Sequence, residues 1–282
     1  TVASGNPRIV YASISGFGTR GARISQPATD SVMQAYTGIM SINRDVRGVP
    51  QRINMLAIDF ATGLYAFQAV SAALYKRAMK GVGGHIETSL LEAAMVFQEA
   101  ALIDSAMQDG PVEPIGMPVG TFQTADGYMS INARRQKQFE AFAELIGHAE
   151  WVDDPRFCDP RARVDNGPAL LAQIAPIIAT KPTAQWCTQL AKIDVLHAPV
   201  HTHQDLFEDQ QVKAVNALRW VKNDALGLIP MATIPGQPIP ASGDRLTHSP
   251  HVGEHSRAVL AELGYTANEI DALVANGIIG AA

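Results

Sequence analysis

The sequence predicts an α/β chain, a mainly parallel sheet in its first part followed by a second, smaller α+β domain. Three observations predict it. Arg8 to Ser15 is an apolar, partly β-branched run ending in glycines, the pattern of a strand buried on both faces of a parallel sheet. A long Ala-rich helical stretch to Arg77 then separates that run from a second short strand, His85 to Thr88, which is the order a parallel crossover requires. Composition shifts at Asp109-Gly110-Pro111 and stays rich in Gly and Pro to Gly120, so a linker falls there and a new unit begins. The division expected is residues 1–109 for a large domain, 110–205 for the α+β domain, and 206–282 for a return to the large domain.

The composition narrows the function classes. The chain has 282 residues, 47% hydrophobic and 17% charged, enough for a large core and more than one domain. A formal net charge of -5 gives no basic footprint for nucleic acid or an anionic membrane surface. Cys158 and Cys187 are too few for a disulfide framework or a cysteine-based zinc site, which fits a reducing cytoplasmic setting. The longest apolar stretch, Leu56 to Tyr75, contains Asp59 and Gln68 and is punctuated by Gly63; it reads as a buried helix, not a membrane span.

Taken in order, the first strand ends in Gly16-Phe17-Gly18-Thr19-Arg20-Gly21. Glycines just past a parallel strand let a ligand approach the backbone, although neither a Walker nor a dinucleotide fingerprint is present. Thr29-Asp30 can cap a helix running through Val32, Met33, Tyr36 and Met40, interrupted at Gly38. After a polar loop, Asn43 to Gln51, the segment Ile53 to Gly63 carries one carboxylate, Asp59, and changes period into a helix with Leu64, Phe67, Val70 and Leu74 among its apolar positions. Asp59 is thereby expected at a helix N-terminus, where unpaired N–H groups and the helix dipole favour an anion. A helix from Ser89 to about Gln108 follows the second strand.

Beyond the linker, Thr121 to Ile131 reads as two short strands turning at Asp126-Gly127. Helices are expected at Gln136 to Ile146, Gly167 to Ala179 and Thr183 to Ile193. A Pro-rich stretch from Pro230 to Pro240 precedes two amphipathic helices, Gly253 to Leu263 and Ala267 to Asn276. His201-Thr202-His203 with Asp205 lacks a third ligand at helical spacing and reads as a polar loop, so no metal is expected. Cys187, beside Trp186 on an apolar helical face, reads as core. Arg134-Arg135-Gln136-Lys137 reads as a solvated helix start, with phosphate binding as the alternative. No Gly-x-Ser-x-Gly elbow supports a serine hydrolase.

On local sequence alone Asp59 is an ordinary helix cap. Four stretches in order change that reading. Asn6 to Gly18 (Asn-Pro-Arg-Ile-Val-Tyr-Ala-Ser-Ile-Ser-Gly-Phe-Gly), Ala57 to Gly63 (Ala-Ile-Asp-Phe-Ala-Thr-Gly), Thr124 to Tyr128 (Thr-Ala-Asp-Gly-Tyr) and Pro250 to His255 (Pro-His-Val-Gly-Glu-His) together resemble the class III CoA-transferase family, which includes formyl-CoA and carnitine CoA-transferases and α-methylacyl-CoA racemases. The resemblance runs over nearly the whole chain. It implies a Rossmann-like large domain, Asp59 as the catalytic nucleophile, and Ser15, Gly16, Phe17 and Gly18 as the loop contacting coenzyme A, which enters as an acyl-CoA substrate. It implies an interlocked homodimer for the complete protein. It also implies further residues ahead of the first strand, with much of the nucleotide half of the CoA site, so that this chain, which opens Thr1-Val2 without a methionine, is expected to be a fragment or one of two chains.

The chemistry so implied is covalent catalysis by carboxylate, moving CoA from an acyl-CoA donor to a small carboxylic acid acceptor through an aspartyl anhydride and an aspartyl-CoA thioester. It needs an Asp59 shielded from water, with backbone N–H groups near the helix start to stabilise the oxyanions. Racemase chemistry is the alternative within the fold. It would need a His in a Gly-His-Asp segment, and the matching stretch here, Ala28-Thr29-Asp30, has Thr29 in its place. A CoA-binding fragment without turnover is the alternative outside catalysis.

Overall fold

The computed structural model describes residues 2–45, 47–107, 114–238, the backbone of 245–246, and 250–280. Contacts divide the chain into two compact units, Thr1–Ile115 and Gly116–Ala282. Of the expected linker, residues 109–113 lie outside the described residues, as do 239 and 240 of the Pro-rich stretch and the end of the Ser89 helix at 108.

In the first unit a short helix, α1 (Val2–Gly5), leads into β1 (Val10–Ser15). Helix α2 (Asp30–Tyr36) ends as the Thr37 hydroxyl folds back onto the Met33 carbonyl, and Gly38, at φ 89°, turns the chain into α3 (Ile39–Ile42). The long helix α4 (Ala57–Lys80) then returns to β2 (Gly84–Ser89), which pairs in parallel with β1 from Val10↔Gly84 to Ser15↔Ser89. The expected crossover is present. β1 is not buried on both faces, however: Tyr11 and Ile14 are exposed, because β1 and β2 form a two-stranded sheet with an open face and open edges.

Two further expectations are corrected here. The single helix from Ser89 is two, α5 (Leu90–Phe97) and α6 (Glu99–Met107), separated at Gln98, whose buried side-chain amide donates to the Thr37 carbonyl (2.7 Å). Helix α4 is also not buried. It packs on β1, β2, α2 and α5 through Ile58, Ala61, Thr62 and Ala66, so small side chains make the contact and Phe60, Leu64 and Phe67 face outward. Its length and apolarity meet the composition of a membrane span, which a single helix packed on a sheet carries only weakly.

The second unit is built differently. β3 (Val119–Gln123) and β4 (Tyr128–Asn132) form the expected hairpin, and β5 (Leu196–Pro199) joins the other edge of β4, also antiparallel. Helices α7 (Gln136–Leu145), α8 (Pro160–Asp165), α9 (Gly167–Ile178) and α10 (Thr183–Lys192) pack a sheet-and-helix core of large side chains, among them Phe139, Phe142, Trp151, Phe157, Leu170 and Trp186, all at most 3% exposed. Each such side chain contributes roughly 1.5–3 kcal/mol by leaving water. Asp126 in the hairpin turn accepts the Thr183 N–H and hydroxyl (2.8 Å each) and so caps α10, whose own cap residue is Pro182.

After α11 (His203–Glu208) and α12 (Gln210–Ala214) comes a second hairpin, β6 (Leu218–Asn223) and β7 (Gly227–Ala232), with β8 (Arg245–Leu246) parallel to β6 on its other side. The Pro-rich pattern from Pro230 predicts a connecting stretch there, but β7 is an edge strand, where proline's missing N–H is tolerated. Helices α13 (Ser256–Glu262) and α14 (Ala267–Ala275) close the chain as expected, the second through a Thr266–Glu269 capping box. Residues 206–282 group with the second unit in this division.

Candidate active site

Asp59 lies in the first turn of α4 but does not cap it. The cap position is Leu56, which offers no side-chain acceptor, and Asp59 is the third helical residue. The cap comes from elsewhere. Asp30, at the start of α2 and only 4% exposed, accepts the N–H groups of Ile58 (2.7 Å) and Asp59 (3.2 Å) on one carboxylate oxygen. Its other oxygen accepts the Gln34 side-chain amide (2.5 Å). Gln34, itself buried, accepts the Ile53 N–H (2.8 Å) and donates to the Ile53 and Met55 carbonyls (3.2 Å each). One buried carboxylate–amide pair therefore fixes both the loop ahead of α4 and its first turn. The expectation that Thr29-Asp30 caps α2 is corrected accordingly: Thr29 makes no capping bond there and Asp30 serves α4.

The signal for this was present in the sequence. Asp30, Met33 and Gln34 stand at i, i+3 and i+4 along α2, one helix face, so a core-facing Met33 brings the two polar residues to the core side with it. A buried carboxylate needs donors, and a following helix start is a ready source of them.

With the cap supplied by Asp30, the Asp59 carboxylate makes no hydrogen bond or ion pair among the described residues and is exposed. It lines a cleft of about 460 Å³ with Thr29, Arg52, Asn54, Met55 and Leu56. Arg52 is the cation of that cleft; its guanidinium donates to the neutral Asn54 side chain (3.0 Å). Two sequence expectations change. Within the first unit the carboxylate is not shielded from water, and the Ile58 and Asp59 N–H groups, being held by Asp30, are not open to an oxyanion.

The glycine loop after β1 sits on the same core as this helix start. Ser15 Oγ accepts the Gly18 N–H (3.1 Å), and Gly18 turns at φ 92°, open to a residue without Cβ. Gly16 passes so close to Ala28 that a Cβ there would collide with the Ala28 methyl, and its carbonyl accepts the Leu91 N–H (3.0 Å). The Phe17 ring packs with Met33, Ile39, Ile58 and Ala94, edge-on to Tyr36. It thus ties the loop to the residue preceding Asp59, while Ser15, Gly18 and Arg20 face a second cleft, of about 580 Å³, at the carboxyl ends of β1 and β2. Open α/β sheets bind ligands at that end.

The remaining candidates resolve into structure. Thr202, which lies between the two histidines, forms a capping box on α11 with Asp205, and the Thr202 hydroxyl and then its N–H hold the Asp205 carboxyl below its ordinary range. Among the described residues no three His, Cys, Asp or Glu side chains gather as a metal site would require. Cys187 packs against the second unit's core, and burial pushes its thiol up. Arg134, Arg135 and Lys137 are exposed at the start of α7.

The fold and its two clefts define an α/β protein of the type that takes a ligand at the carboxyl ends of parallel strands, with an exposed, unbonded carboxylate at an adjacent helix start. The model of CoA-transferase family III matches residues 1–256, and the chain belongs to that family. It is 29% identical to mouse "Succinyl-CoA:glutarate CoA-transferase", over 97% of this chain and 64% of that protein. It is 31% identical to "Succinate--glutarate CoA-transferase" of Agrobacterium fabrum, over 92% of this chain and 66% of the relative. A crystal structure of a CAIB/BAIF family protein from Brucella suis superposes with a TM-score of 0.74 at 31% identity, over 93% of this chain and 70% of that one. The chain thus spans about two thirds of the length of the curated relatives it matches.

Proposed function

We propose that this chain carries the catalytic carboxylate of an acyl-CoA:carboxylate CoA-transferase. The observation that carries the reading is Asp59: an unengaged carboxylate at the rim of a cleft, on a helix start whose capping another residue has taken over. Asp59 attacks the donor thioester carbonyl, giving an aspartyl mixed anhydride and CoA thiolate. The thiolate attacks the aspartyl carbonyl, releasing the donor acid and leaving an aspartyl-CoA thioester. The acceptor carboxylate then attacks that thioester, CoA leaves as thiolate, and its return onto the acceptor's carbonyl of the new anhydride frees Asp59.

Coenzyme A is held in part by the Ser15–Gly18 loop in this reading, through backbone and the Ser15 hydroxyl, since the Phe17 ring is committed to the core. Arg52 and the names of the two relatives support a small dicarboxylic acid as acceptor and succinyl-CoA as donor. A cytoplasmic homodimer completes the reading. Thr29 lies at the cleft where racemase chemistry would need an imidazole, and its hydroxyl cannot serve as that acid or base near neutral pH.

The test is peptide mass spectrometry after incubation with a panel of acyl-CoAs and hydroxylamine. A hydroxamate on Asp59 is expected, with Asp59→Asn removing both the adduct and turnover; turnover that survives Asp59→Asn defeats the covalent mechanism.

A further inference from the structure

An Asp in the first turn of a helix ordinarily spends its carboxylate on that helix. It bends back to accept the free N–H groups, and Asp205 and Glu269 do so in this same chain, each bonding its own cap residue's N–H from the third helical position. Asp59 occupies the same third position of α4 and does not. Among the described residues its carboxylate makes no bond to the N–H of its own cap residue, Leu56, while the Ile58 and Asp59 N–H groups of that first turn point into the buried Asp30 carboxylate.

We infer that Asp30 is a positioning residue for the reaction: by accepting the Ile58 and Asp59 N–H groups, it fixes the helix start that carries Asp59, whose carboxylate stands unbonded at the cleft. This rests on the proposed role of Asp59 as nucleophile. The two carboxylates divide the labour by environment, one buried and saturated with N–H donors, the other exposed and unbonded. Gln34 completes the device. It holds the second oxygen of Asp30 and, through three further bonds to Ile53 and Met55, the loop that forms the floor of the cleft. Freed from capping, a carboxylate keeps both oxygens available for attack on a thioester carbonyl. Bent back into a capping box, it would be stabilised as an acceptor and turned from the substrate.

Two arms in the full chain test this. The first needs no turnover: amide hydrogen exchange over residues 57–60 in the native protein, in Asp59→Asn and in Asp30→Asn. Protection is expected to survive Asp59→Asn and to fall by about tenfold or more in the isosteric Asp30→Asn, in line with a lost charge-assisted bond. Protection lost in Asp59→Asn and kept in Asp30→Asn would overturn the inference, and the Asp59→Asn half stands even if the Asp30 variant folds poorly. The second arm compares hydroxamate formation and steady-state kinetics. Asp30→Asn is expected to lower kcat and the Asp59 adduct together by about a hundredfold, with KM for acyl-CoA unchanged, the signature of a displaced nucleophile. Equal labelling and equal kcat would also overturn it. If the native protein forms no adduct, the covalent reading fails while the exchange arm still decides which carboxylate caps α4.

Discussion

Each unit buries one ionisable side chain among the described residues, and each solves the problem in the same way. Asp30 in the first unit and Arg163 in the second have no counter-ion in contact; each is satisfied by backbone groups and one glutamine. Arg163 donates to the carbonyls of Met117, Phe157 and Arg134 and to Gln136 Oε1, lies over the Phe139 ring at 4.3 Å, and is held below its ordinary pKa by burial. The surroundings differ. Sixteen buried residues form the core around Arg163, and five form the core beside Asp30, which borders an open cleft. The same device therefore staples loops into a closed core in one unit and fixes a helix start with an exposed carboxylate at a cleft rim in the other.

The largest effect expected is on the closed side. Arg163→Met keeps the volume but strands three carbonyls and the Gln136 oxygen, so unfolding should lose about 3–5 kcal/mol, as when one partner of a buried charged network is removed. Trp151, Trp186 and Trp220 all lie in the second unit, so tryptophan fluorescence in a urea titration reads it directly. A loss under about 1 kcal/mol would break the comparison, because the bonds to Arg163 would then be no stronger than ordinary exposed ones.

A smaller effect sharpens the contrast between buried and exposed ions. Asp126, exposed in the hairpin turn, is held below its ordinary value of 3.8 chiefly by the Thr183 N–H, then by the Thr183 hydroxyl. A carboxyl lowered in the folded state stabilises it above that ordinary value and loses the effect as pH falls through the folded one. Asp126→Ala should therefore lower Tm at neutral pH, and the gap to the native protein should close as pH is taken below about 3.8. A gap that stays constant with pH would assign the effect to the turn's shape and not to its charge.

How much of this was legible follows from what is local. The Asp126-Gly127 hairpin and helices α7, α9 and α10 were read to within a residue or two, because turn chemistry and a 3.6-residue period are written in neighbouring positions. The β6–β7 hairpin was missed because Pro230 argues against a strand until its edge position is known. At the candidate site, the glycine loop and the Asp59 helix start were both found, but the cap was assigned to the wrong helix. Asp30 opens α2 in sequence and lies against the start of α4 in space, and the backbone N–H groups its carboxylate caps are those of α4.

The smallest effect tests α4, where apolar residues were read as the buried face and turned out to be the outer one. Ala66 is 9% exposed and Phe67 is 65% exposed, so the small residue is the one in contact. Ala66→Phe should cost about 1–3 kcal/mol by overpacking against the strands and α5. Phe67→Ala should change stability by no more than about 0.5 kcal/mol: the ring gives up little burial, and alanine's better helix propensity offsets part of that. Measured by thermal or urea unfolding followed by far-UV circular dichroism, the two variants should rank opposite to their hydrophobicity. A loss above about 2 kcal/mol for Phe67→Ala would mean that the outer face of α4 is covered in solution. The first unit would then have a core of its own on that side, and the contrast between a closed and a thin-walled unit would no longer stand.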